Sequence, residues 1–149
     1  MSNHPYIRAY LAGIAVPTCF MLFVFAFFCT VRFGLHLAFP LERIIIFPLA
    51  LVPNAFGLWN VVYLALHNRR RLPLGVHGAL LPFILMPSGL LIATLLGFAE
   101  ATRDGVVWFD STKIYYFQFG IGFCIALVAY YLVWKYLVGF LNNLLGIAA

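Results

Sequence analysis

Four stretches of the chain, residues 10–31, 44–66, 76–98 and 114–133, contain no Asp, Glu, Lys or Arg. Each is long enough to cross about 30 Å of hydrocarbon, which takes ~20 residues of helix at ~1.5 Å each. In such a medium every backbone N–H and C=O must find its partner within the fold, and a helix does this locally. A membrane barrel would show polar residues at alternate positions, and these runs do not. The rest of the composition agrees: 65% of the chain is hydrophobic and 9% is charged, against about 25% charged in a soluble domain. The expectation is therefore an all-α integral membrane protein, a four-transmembrane-helix bundle forming one polytopic domain over residues 1–149. The first run is too long for a signal peptide and lacks a small-residue cleavage site, so it reads as a retained span.

The second and third runs carry prolines in parallel. PLALVPN contains Pro48, Pro53 and Asn54, and PFILMPS contains Pro82, Pro87 and Ser88. Proline gives no backbone donor and crowds the carbonyl four residues earlier, so helices 2 and 3 are expected to be kinked. Pro53 loosens the Leu49 carbonyl, so a donor must turn toward it, and the adjacent Asn54 brings two. The shared spacing also fits an inverted repeat, a device of transporters with broken helices.

On a helical wheel Ala50, Asn54, Gly57 and Val61 share one face of the second helix, flanked by Asn60. Small stripes recur at Ala9, Gly13 and Pro17, at Gly89, Ala93 and Gly97, and at Gly122, Ala126 and Ala129. Such stripes let helix backbones approach closely. Two roles are open to Pro48, Pro53, Asn54, Gly57, Asn60, Pro82, Pro87 and Ser88. They are helix-packing residues, which is the commoner use, or they line a path for a solute.

Between the second and third runs lies HNRRR, with Arg69, Arg70 and Arg71. A short loop with clustered Arg stays cytoplasmic, which puts both termini inside. The triplet suits a topology anchor or anionic lipid headgroups. The formal charge of +5 is scattered among loops, so nucleic acid is not an expected partner. Membrane lipids are, together with further copies of the chain or a larger membrane complex. The expected location is the bacterial inner (plasma) membrane.

The loops offer weaker signals. Pro40 and Glu42 suit a helix start, as does Leu72-Pro73. Asp104-Gly105 marks a turn, VVWF after it reads as an interfacial apolar patch, and Asp110, Ser111 and Thr112 are candidate N-caps for the last span. In the tail, Leu137, Phe140, Leu141, Leu144 and Leu145 oppose Gly139, Asn142, Asn143 and Gly146. This fits either a C-terminal interfacial helix or a simple continuation of the fourth span.

Chemistry-bearing clusters are scarce. His67 and His77 flank the basic loop and are the only conceivable haem or metal pair, a use that interfacial histidines seldom have. Cys19, Cys29 and Cys124 lie inside spans without a C-x-x-C, and read as small packing residues. Glu100, Asp104 and Asp110 gather around Arg103 in a loop, where a solvated role is the plainer one. No catalytic residue, metal ligand or cofactor site is expected. The leading functional expectation is a non-enzymatic accessory or structural membrane subunit, or a small homo-oligomer. The alternative is a small-solute transporter or channel protomer with its site at the proline and asparagine breaks. A membrane enzyme acting at the last loop is a third, weaker reading.

Overall fold

The computed structural model describes residues 4–36, 47–67, 72–109 and 112–147. In chain order the elements are α1 (Pro5–Cys29), α2 (Phe47–His67), α3 (Leu74–Ala79), α4 (Pro82–Leu95), β1 (Ala99–Ala101), β2 (Gly105–Trp108), β3 (Thr112–Tyr115), α5 (Tyr116–Leu132) and α6 (Gly139–Leu144). Wider π turns extend α1 over Thr30–Gly34 and join α5 to α6 over Val133–Val138. The described chain is mostly helical, and three helical stretches are long and apolar enough to cross a membrane: Pro5–Gly34, Leu74–Leu95 and Tyr116–Leu144. The apolar part of α2 is shorter, Leu51–Leu66. Contacts cluster into two compact units, Met1–Leu74 with Tyr136–Ala149, and Gly75–Lys135, although the sequence shows no linker between them.

In the first unit, α1 begins with Pro5 at a position where the missing N–H costs nothing. Pro17 lies inside α1 and cannot donate to Gly13. The Thr18 hydroxyl donates to the next carbonyl along, that of Ile14, at 2.6 Å. Helices α1 and α2 cross at two glycines. A Cβ on Gly13 would lie 2.6 Å from the Phe56 carbonyl oxygen and 2.8 Å from Gly57 Cα; one on Gly57 would lie 2.6 Å from both Ile14 Cγ2 and the Tyr10 ring. Hydrogen in place of a methyl lets the two backbones touch. Ala9 and Ala12 are buried beside this crossing and pack with Ile147, while Phe23 on the outer face of α1 is 76% exposed.

In the second unit, Pro82 divides what the sequence presents as one kinked helix. Leu81 N–H turns to the Gly78 carbonyl at 3.0 Å and Leu80 N–H to that of His77 at 3.2 Å, so α3 closes in a tight turn and α4 starts afresh at Pro82. Gly75 and Gly78 bring α3 against the end of α5: a Cβ on Gly75 would sit 2.8 Å from the Tyr131 ring, and one on Gly78 would collide with Trp134. Trp134 is fully buried, with the buried His77 ring edge-on to it at 5.8 Å.

The described chain fits the all-α class, but the connection after α4 is not the plain loop expected. It is a three-stranded antiparallel sheet in the order β1-β2-β3, with Ala101 opposite Val106 and Val106 opposite Ile114. The turn at Asp104-Gly105 is there, closed by Thr102 N–H and Oγ1 both donating to the Gly105 carbonyl at 2.8 Å. Strand β3 runs directly into α5, so the N-cap of that helix is Tyr115, whose backbone N–H donates to Gln118 Oε1 at 2.9 Å. Thr112 is a strand residue; Asp110 and Ser111 lie outside the described residues, as do Pro40 and Glu42.

The tail takes the second of its two readings. Helix continues from Tyr116 to Leu144, and the two expected faces do not separate: Gly139 and Asn142 are buried but Asn143 and Gly146 are exposed, and Leu141 and Leu145 pack on the core while Phe140 and Leu144 are exposed.

Candidate functional site

Two places concentrate polarity or space against an apolar background, one in each unit. In the first, Asn60 of α2 and Asn142 of α6 are buried to 1% and 0% exposure. Asn60 Nδ2 donates to Asn142 Oδ1 at 2.8 Å, and Asn142 Nδ2 donates back to Asn60 Oδ1 at 3.2 Å. Asn60 Nδ2 also donates to the Ala9 carbonyl at 2.7 Å, which ties three helices to one side chain. One turn away in sequence, Arg8 Nη1 donates to the Leu145 carbonyl at 3.0 Å, and Leu145 caps the end of α6. A cation there meets the negative end of the helix dipole, worth about 0.3–1 kcal/mol. Arg8 Nε is buried without a hydrogen-bond partner.

The residues singled out in the sequence distribute as follows. Gly57 and Asn60 face α1 and are buried, and Pro53 is buried beside them. Asn54 is exposed, and its Oδ1 accepts the Tyr10 hydroxyl. Pro48 is a helical residue of α2. In the second unit Pro82 is buried at the start of α4, whereas Pro87 is exposed inside it. Ser88 serves its own helix, donating to the Ile84 carbonyl at 2.6 Å. Arg69, Arg70 and Arg71 lie outside the described residues.

Of the small-residue stripes, Ala9, Gly13 and Pro17 are buried together. The other two are not continuous packing faces among the described residues. Gly89 has open space where its side chain would be, Gly97 lies beyond α4 at φ +71°, and Gly122 is equally open; only Ala93 of the third-helix stripe is buried, against Ala99 and Val106 of the sheet. Cys19 and Cys124 are exposed on their helices and Cys29 is partly buried, so the first two are not core residues within the chain.

The second place is an open groove of about 620 Å³ between α4, β2 and α5. Phe83 and Met86 of α4 form one wall, Phe119, Gly120 and Phe123 of α5 the other, and Trp108 closes one side. Phe83 and Phe123 meet edge to face at 4.8 Å. The single polar feature of interest is Trp108 Nε1, buried without a hydrogen-bond partner, an arrangement that costs about 1–3 kcal/mol if nothing accepts from it.

Neither place assembles an acid, a base and a nucleophile. Among the described residues no three of His, Cys, Asp and Glu come together as a metal set. The Asn60–Asn142 pair was visible in the sequence only as two separate polar faces; Arg8, Tyr10 and the Trp108 groove gave no signal there. Comparison of the chain with known protein families, with curated proteins and with solved structures finds no match.

Proposed function

We propose that the chain is a non-enzymatic, polytopic membrane protein that acts as an accessory or structural subunit, in a small homo-oligomer or a larger membrane complex. In this reading it crosses the bacterial inner membrane four times, with both termini cytoplasmic. Helix α2 is the fourth crossing: its 21 residues extend about 31 Å at ~1.5 Å each, enough for a ~30 Å hydrocarbon core.

The observation that carries the reading is the inversion of polarity in the first unit. Amides and glycines are buried, and large apolar side chains such as Phe20, Phe23, Phe140 and Leu144 face outward. In water this arrangement would leave large apolar area exposed at about 25 cal/mol per Å²; in lipid it carries no such penalty, and buried hydrogen bonds and close glycine crossings hold helices together. The Gly13–Gly57 crossing leaves no room for a solute between α1 and α2, which favours a scaffold over a conduit.

The test is purification from membranes in a mild detergent through a tag on this chain, with mass measurement of the intact particle. A defined homo-oligomer or a stoichiometric untagged membrane partner is the expected result. A monomer that catalyses solute flux after reconstitution would replace this reading with the transporter one, and recovery in the soluble fraction would remove both.

A further inference from the structure

We draw no further inference here: the strongest candidate, the open apolar groove between α4, β2 and α5, carries none because nothing in the structure shows what covers it.

Discussion

Asn60 and Asn142, 82 positions apart in the chain, hold each other through two antiparallel amide hydrogen bonds, 2.8 and 3.2 Å long. Neither side chain reaches solvent. Replacing one by Leu strands the other's donor and acceptor, so Asn60→Leu and Asn142→Leu should each lower unfolding free energy by about 1–3 kcal/mol. The double variant should lose less than the sum, with a coupling of ~0.6–1.7 kcal/mol, the range for interhelical bonds in membranes. A double-mutant cycle by thermal unfolding in detergent measures it; strict additivity would show that the pair does not act as a unit.

Gly13→Ala places a methyl group against the Phe56 carbonyl and Gly57 Cα, both backbone and unable to yield. The α1–α2 crossing must open, at a cost of about 1–3 kcal/mol. Gly122→Ala meets nothing and should be neutral or stabilise by ~0.5–1 kcal/mol, since Ala favours helix over Gly. Melting midpoints of the two variants in one detergent should move in opposite directions.

Pro87 is exposed inside α4, so Ala there loses no packing and restores a donor to the Phe83 carbonyl. Thermal stability should rise, by up to ~3 kcal/mol in an ordinary helix interior. Pro53 is buried, and Pro53→Ala exchanges packing for the regained bond, giving a smaller gain or a loss. Hydrogen exchange read at residues 83–88 gives an independent check: amides there should be better protected in Pro87→Ala.

Arg8→Leu removes the donor to the Leu145 carbonyl. The end of α6 should fray, with faster amide exchange at residues 145–147 and earlier carboxypeptidase trimming. Arg8→Lys keeps a cation at the helix end and should restore part of the protection. Unchanged trimming in Arg8→Leu would mean that the bond contributes nothing to holding the tail.

The sequence located the helices well because a long uncharged run has few other solutions. On α2 the expected face ran through Ala50, Asn54, Gly57 and Val61, whereas the buried positions are Pro53, Phe56, Gly57, Asn60 and Tyr63, so only Gly57 is common to both. The sequence did not distinguish between the two amides of α2. Asn54 and Asn60 lie about 120° apart on the wheel, and contacts with α1 and α6 together seal Asn60 while Asn54 is exposed. The stripes through Gly89 and Gly122 have the spacing of packing faces, but spacing says nothing about whether a neighbour comes. The sheet was missed for a local reason: its strands are only 3–4 residues long, too short for alternation to register beside Asp104-Gly105. In the tail the two expected faces do not separate: Asn142 is buried but Asn143 is exposed, and Leu141 packs inward while Leu144 is exposed, because the neighbours of α6, and not its own spacing, set which side is covered.

The distance along the chain between the two amides has a consequence for biosynthesis. At roughly 5–20 residues per second, a ribosome adds Asn142 some 4–16 s after Asn60. Through that interval Asn60 already has the Ala9 carbonyl, made 51 residues earlier, as an acceptor. The nascent hairpin of α1 and α2 thus waits with one bond of its polar latch closed, and the last turns of the polypeptide complete it.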